Sequence, residues 1–561
     1  MGDLHDARAA DPLALEDHLA GLCRTAGLAP PTGIGFRRTS PSPVDLRLFF
    51  RGADARSLAP HLAADPLVAD ARCKGKEVAL RLADDAVERL IDALLAGRAS
   101  GDDRPGPLAG QTHAVHFLNP NATKPLHLGH LRNLATGAAL AASREAAGAR
   151  VLRQAYVCDI GRNVCEAMAG CTTLPGGAEP QPGERADRWV GRCYAAYAAA
   201  VPEGGPGDPK DPGDPVSREA HVRGDLADEM VRGWLAEEPD VRALWDRLVT
   251  GALDGQRATL ARLGIAMDRL ALESESLPRV TAYLDHGLAT GLLQRADDGS
   301  VHYHAGRSGY ERLPLLRSDG LPTEHARVIG LFLQQYDRLA AQPLDAWVVV
   351  CGDEWDAAGA VELELASRLG AGELAEKVEV VTHGMVTLAG SKMKSRDGKA
   401  LLIDDLLDRL GELPELRAMA GESAGRVSAE QASQMLVKGY FLSRKLPKAL
   451  EFRWEDFAAP ERNPAWFLAR AWCRVNGGAE RAPDATARDD EACRVALLQA
   501  FHLPPLVHAA ADGFAGTELA KFAVGLAKWT LEQRSEPRLD AVVRAVLART
   551  LGALGLLAAK S

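Results

Sequence analysis

None of the nine cysteines of this 561-residue chain forms a C-x-x-C pair. Cys23, Cys73, Cys158, Cys165, Cys171, Cys193, Cys351, Cys473 and Cys493 are scattered and odd in number, so neither a disulfide framework nor a structural zinc site is expected. No uninterrupted apolar run reaches the roughly 18 residues a membrane span needs. The opening "MGDLHDARAADPLALEDHLAG" lacks a basic start followed by an apolar core, so no signal peptide is read and a cytoplasmic location is expected. A basic excess is also missing. The net charge of −10 argues against indiscriminate nucleic-acid binding, DNA included, while leaving room for a local basic surface. There is no internal repeat.

What is present is ordinary globular composition, 47% hydrophobic and 25% charged, at a length sufficient for three or four domains of roughly 100–200 residues. The charge is uneven. Residues 421–561 hold 19 Lys and Arg against 16 Asp and Glu, so the C-terminal part is the better candidate for a polyanion-facing region.

The first hundred residues read as a small α+β unit. "LALEDHLAGLCRTAGL" has helical spacing, "VDLRLFF" and "EVALRL" alternate like strands, and "DDAVERLIDALLAG" is a helix closed by Gly97. "RASGDDRPGPLAG" (98–110) is a linker by composition. Then "AVHFLN" reads as a strand, "HLGHLRNLATGAALAASREAAGA" as a long helix and "RVLRQAYV" as the next strand, which implies a parallel sheet. A Pro/Gly/Asp-rich stretch at 201–217 sits among helices that look inserted, from about 171 to 265. Sheet signals return at "DAWVVVCGDE" (345–354) and "KVEVVTHGMV" (377–386). From about 425 the chain reads as helical to its end, with turn signals near 459–464 and 475–490.

Chemistry concentrates in "NPNATKPLHLGHLR" (119–132). His127 and His130 are three apart at the first turn of the long helix, so both rings share a face. Free N–H groups and the positive end of the helix dipole favour an anion such as phosphate there. Gly129 leaves the backbone open to a nucleotide. A second basic cluster, "GSKMKSRDGK" (390–399), sits between glycines.

These stretches resemble the arginyl-tRNA synthetase family of class I aminoacyl-tRNA synthetases. Asn119-Pro120-Asn121, Lys124-Pro125, His127, Gly129, His130 and Arg132 follow that family's S-P-N-x-x-K-P-x-H-x-G-H-x-R pattern. The resemblance continues, in order, through "YVCDIGRNV" (156–164), "LGIAMDRLALESESL" (263–277), "LLRSDGLPT" (315–323), "GDE" (352–354), the 390–399 loop and "YFLSRKLPKALEF" (440–452). It implies an α/β fold: a split Rossmann-type parallel-sheet catalytic domain over 110–424, an N-terminal tRNA-elbow-like α+β domain over 1–100, and a C-terminal all-α anticodon-binding-like bundle over 425–561. It also implies ATP, with Mg²⁺ on the triphosphate, an amino acid (arginine or an analogue), tRNA as acceptor, and activation that usually requires tRNA.

Carried over residue by residue, the resemblance places Lys124, His127, His130, Lys392 and Lys394 around the triphosphate as catalytic groups. Gly129, Gly352, Asp353, Met393, Ser395 and Arg396 would bind ATP. Asn121, Tyr156, Asp159, Glu273 and Glu324 would bind the amino acid. In the family's K-M-S-K-[SR] loop the fourth position is lysine, whereas here it is Ser395; members lacking that lysine carry one just before H-x-G-H, where Lys124 stands.

Other departures fall in the amino-acid pocket. Glu324 and Val328 occupy positions where the family has Tyr and Asp, His116 replaces an acid, and Trp355 stands where Gln or His is usual. "NPAWFLARAWCRV" (463–475) replaces an aromatic-rich helix. A guanidinium needs acceptors arranged to take its fork of donors. Three readings therefore stand together: an arginine-activating synthetase; a biosynthetic paralogue passing its adenylate to a small-molecule amine without tRNA; and a non-catalytic tRNA-binding paralogue.

Overall fold

The computed structural model describes residues 12–36, 44–51, 54–97, 106–177, 179–201, 215–306, 311–339, 341–388, 391–392, 401–477, 490–513 and 516–557. Most of the expected linker at 98–110, most of the Pro/Gly/Asp stretch at 201–217 and most of the turn region at 475–490 lie outside these residues.

The N-terminal unit starts with the helix Pro12–Thr25 and continues with strands β1 (Gly33–Phe36), β2 (Leu46–Phe49), β3 (Val68–Lys74) and β4 (Glu77–Leu82). They form an antiparallel sheet in the order β1-β2-β4-β3. The alternation in β2 and β4 turns Leu46, Leu48, Val78, Leu80 and Leu82 into the core. There they meet Leu90 and Ile91 of the helix Asp84–Leu95. Strands β1 and β3 are additions to the sequence reading.

Next come β5 (Thr112–Leu118), β6 (Arg150–Val157), β7 (Arg269–Leu272), the short antiparallel strands β8 (Leu293–Arg295), β9 (Val301–Tyr303) and β10 (Leu313–Leu316), then β11 (Ala346–Gly352) and β12 (Val378–His383). Five of these make one all-parallel sheet in the order β12-β11-β5-β6-β7. The chain runs outward from β5 to β7, then returns to the other side of β5. Neighbours β5 and β11 thus flank the point where strand order reverses, and a crevice opens at their carboxyl ends. The helix Leu128–Ala146 packs on this sheet very closely: a Cβ on Gly137 would meet Phe117 at 2.1 Å.

Between β6 and β7 the described residues form four helices, Arg162–Thr173, Ala186–Ala200, Pro215–Leu235 and Pro239–Arg262. Against the expectation drawn from the scattered cysteines, Cys171 and Cys193 form a disulfide between the first two of them, with a Cα–Cα distance of 4.8 Å. After the sheet, β13 (Val386–Leu388) pairs with β14 (Ser391–Lys392) and, in parallel, with β15 (Leu450–Phe452). The C-terminal part comprises the helices Ala429–Leu442, Ala465–Gly477, Asp490–Gly513, Gly516–Glu532 and Pro537–Ala553. It touches both other parts. Buried Arg494 donates to Asp45 at 2.6 Å and to the Leu82 carbonyl at 3.0 Å, while Ser143 donates to the Ala553 carbonyl at 2.8 Å. Among the described residues no helix is long and apolar enough to cross a membrane.

Candidate active site

A cavity of about 540 Å³ occupies the crevice. Its wall takes Asn119 and Asn121 from after β5, Tyr156 and Cys158 from the end of β6, Glu273 from after β7, Gly352 and Glu354 from the end of β11, and His383 with Met385 from the end of β12. His127, Gly129, His130 and Asn133 enter from the first turns of the helix Leu128–Ala146. Five strand ends and one helix N-terminus therefore face one space.

The histidines cap that helix in an unusual way. The Gly129 N–H donates to His127 Nδ1 at 3.1 Å, and the His127 N–H donates to His130 Nδ1 at 3.1 Å. A backbone N–H can only donate, so both Nδ1 atoms are acceptors and each neutral ring carries its proton on Nε2. Burial and the nearby Lys124 charge push His127 down to about 3. Burial first, then His127 and Lys124, hold His130 well below the usual histidine range. At neutral pH the cavity is thus lined by two uncharged imidazoles, each an Nε2–H donor. That donor set at a helix N-terminus fits the oxygens of a phosphate chain.

Arg132, one turn on, is almost fully buried and donates to four carbonyls: Gly384 at 2.6 Å, Lys448 at 2.7 Å, Lys445 at 2.9 Å and Leu446 at 3.0 Å. The chain leading into β13 and into β15 is tied in this way to the histidine helix. The segment following the basic loop is tied there too. Leu128 donates to Leu401 at 2.8 Å and Ile403 to Leu126 at 3.1 Å. Buried Asp404 then accepts from Arg185 at 2.7 Å, Arg262 at 2.8 Å and Thr259 at 2.5 Å. Met393, Lys394, Ser395 and Arg396 lie outside the described residues, and of Lys392 the structure describes only the backbone, paired with Thr387.

Of the other residues singled out in the sequence, Asn121, Tyr156, Glu273, Glu324 and Gly352 line the cavity. Lys124 does not line it, although its charge reaches both histidines; its carbonyl and that of Asn121 accept from Gln256 at 3.0 and 2.9 Å. Asp353 is also off the wall. Asp159 corrects an expectation. Its carboxylate is fully buried away from the cavity and accepts from the Ser274 N–H at 2.9 Å and hydroxyl at 2.5 Å. These bonds hold the turn next to Glu273, and Asp159 is not on the cavity wall.

The residue that the sequence reading passed over is Arg327. Its Nε donates to Glu273 Oε2, its Nη1 to the Pro322 carbonyl at 2.5 Å, and its Nη2 to Cys158 Sγ at 3.7 Å. The Tyr156 hydroxyl donates to the Arg327 carbonyl at 2.7 Å. Burial pushes the Glu273 carboxyl up to about 8, with the guanidinium only partly opposing it; burial works against the Arg327 charge, but Glu273 outweighs it and holds Arg327 up, so the guanidinium stays charged. The only sequence signal for this was a basic residue between Glu324 and Val328.

Residues 99–171 match the family model described as "tRNA synthetases class I (R), catalytic domain". An arginine--tRNA ligase of Treponema pallidum is 30% identical over 381 residues, covering 66% of this chain and 60% of that protein. In this stretch and across about two thirds of its length, the chain is similar to class I arginyl-tRNA synthetases. A second member, the arginine--tRNA ligase of Phocaeicola vulgatus, is 27% identical over 430 residues, covering 72% of this chain and 69% of that protein. The match to the Treponema pallidum member thus spans less than two thirds of its length. Among solved structures of the family, the Thermus thermophilus arginyl-tRNA synthetase superposes with a TM-score of 0.62 at 22% identity, covering 97% of this chain and 98% of that one. At that identity the likeness concerns the fold.

Proposed function

We propose that this chain activates an amino acid, arginine or an analogue, with ATP and transfers it to tRNA. The observation that carries this is the pair of Nε2–H donors of His127 and His130 on the wall of a cavity at the reversal point of a parallel sheet. An amino-acid carboxylate oxygen attacks the α-phosphorus, the bond from that phosphorus to the bridging oxygen breaks, and pyrophosphate leaves. A ribose hydroxyl of the terminal tRNA nucleotide then attacks the carbonyl carbon, an ester forms, AMP leaves and the hydroxyl proton is lost.

Charge grows on phosphate oxygens in the first step, and preorganised donors that need no reorientation stabilise it. The neutral imidazoles and the ammonium of Lys124 would supply them, with Lys392 and Lys394 on the opposite side. Gly352 and Asp353 would lie by the adenosine, and Asn121 by the amino acid's polar end. Among the described residues no group of three His, Cys, Asp or Glu side chains converges as a metal site. Mg²⁺ would then be carried by the triphosphate, whose charge it offsets. The basic-leaning C-terminal helices and the N-terminal unit are the surfaces proposed to meet tRNA.

Amino-acid-dependent pyrophosphate exchange, run with and without tRNA, tests this reading, followed by charging of tRNA with the acid that works. Exchange without any tRNA charging would move the acceptor to a small amine. No exchange with any acid would leave only a binding role.

A further inference from the structure

Resting on the activation reading, we infer that Arg327 reserves Glu273 for itself. The amino acid this cavity takes is then one whose side chain ends in a compact primary ammonium, read by Glu324, and not in a guanidinium.

Glu273 and Arg327 are both buried, and Glu273 is the acid on the deep wall of the cavity beside Tyr156 and Cys158. A guanidinium entering there would need a carboxylate to take its fork of donors. That pairing is already made inside the chain, since Arg327 Nε holds Glu273 Oε2. The Cys158 thiol forms a further contact with Glu273. A second guanidinium would find an engaged acceptor and a like charge behind it.

Besides Glu354, Asp356 and Glu362, which line it elsewhere, the cavity offers one face of the helix Glu324–Arg338 next to Arg327. Glu324, Val328 and Phe332 recur every four residues and all line the cavity. This face is one carboxylate followed by apolar surface. The Glu324 carboxylate makes no hydrogen bond or ion pair with another described residue, and it keeps its surface open to the cavity although atoms crowd around it. That crowding, with Glu362 close by, pushes Glu324 up, and Arg327 and His325 only partly oppose it. Glu362 is itself paired with His325 at 2.7 Å. A cation at Glu324 relieves this unfavourable negative charge.

The shape of the cation then decides. An ammonium is a compact point charge on a flexible stem, and it can direct its few donors at one carboxylate while its methylenes lie on Val328 and Phe332. A guanidinium spreads five donors around a plane, and one carboxylate takes two of them. The rest would face the apolar side chains.

Wild-type exchange is measured with arginine, citrulline, ornithine and lysine, with unfractionated tRNA and without it. Binding of the same four acids is followed in parallel by calorimetry, which does not require activation. The expected result is a kcat/KM for ornithine or lysine about tenfold or more above arginine and citrulline. Glu324→Gln, a change on the open cavity wall, should remove that preference mainly through KM. Arg327→Ala should gain affinity for arginine, and added guanidine should raise its melting temperature more than that of wild type. Arginine or citrulline matching or exceeding the amines in wild type overturns the inference while leaving activation standing. If no acid drives exchange, the activation reading fails, and calorimetry decides alone: tighter binding of the amines supports the inference. Tighter arginine, or binding of none, overturns it.

Discussion

The ring of His127 lies 4.1 Å from that of His130, centroid to centroid, and the second ring accepts the backbone N–H of the first. Each histidine therefore fixes the other's tautomer or position as well as facing the cavity. Replacing His127 or His130 by Ala should lower pyrophosphate exchange by about 10²–10³-fold, because a preorganised donor to the transition state is lost. The amino-acid KM should move little. A change confined to KM would mean that the rings act only in binding.

The same burial gives an acid-side signature. His127 is held at about 3 in the folded chain against an ordinary 6.5, so below pH 6.5 the unfolded state binds the extra proton and the folded state does not. Its contribution to stability is intact at neutral pH and falls as pH drops from 6.5 towards 3. Urea unfolding at pH 7 and pH 5 should show a smaller loss in His127→Gln than in wild type. Over pH 6–8, exchange should be free of any step from these rings.

Lys124 is the cation whose charge both rings sense. If it supplies the ammonium that Ser395 does not, Lys124→Ala should reduce exchange by about 10²-fold or more. Lys394→Ala should weaken it less. Equal, small effects of the two changes would remove the compensation.

Asp404 joins the segment after the basic loop to the inserted helices through Arg185 and Arg262. Burial opposes its ionisation, but hydrogen bonds from Arg185 and Thr259 hold it below the usual carboxylate range. Its support is present above the ordinary carboxyl pKa and is lost as pH falls through the lowered one. Asp404→Asn should cost on the order of 3 kcal/mol by leaving the guanidinium groups partly uncompensated. Chemical denaturation at pH 7 measures this directly.

Lys438 is buried with its ammonium on the Gly555 carbonyl at 2.8 Å, and burial lowers it to about 8 from 10.5. Between these values the unfolded state binds more protons, so stability rises with pH by on the order of 3 kcal/mol. Lys438→Met should flatten that rise. Comparing urea midpoints of the two chains at pH 8 and pH 10 reads it.

The parallel sheet and the histidine turn were legible because hydrophobic period, Gly and Pro punctuation and a dense motif agree there. Strand β1 was not, since four residues containing two glycines carry no alternation. Strand β3 was not either: its exposed, charged residues lack a clean period of two. Arg327 pairs with a residue 54 positions away and Cys171 with one 22 positions away. Such contacts depend on how helices dock, which local pattern does not encode. The basic loop was legible as chemistry; Arg132 was legible only as a motif position and Asp404 only as a neighbour of one, not as the anchors they form.

The four carbonyls held by Arg132 lie 252, 313, 314 and 316 residues further along the chain. During synthesis the histidine helix emerges long before any of its acceptors exist. At about 5–20 residues per second, that guanidinium waits roughly a quarter of a minute to a minute for Lys448 to be added. The histidine end of the cavity is therefore among the last parts of the molecule to assemble. A chain interrupted before Lys448 retains His127, His130 and Lys124 but lacks part of the scaffold that holds the histidine helix.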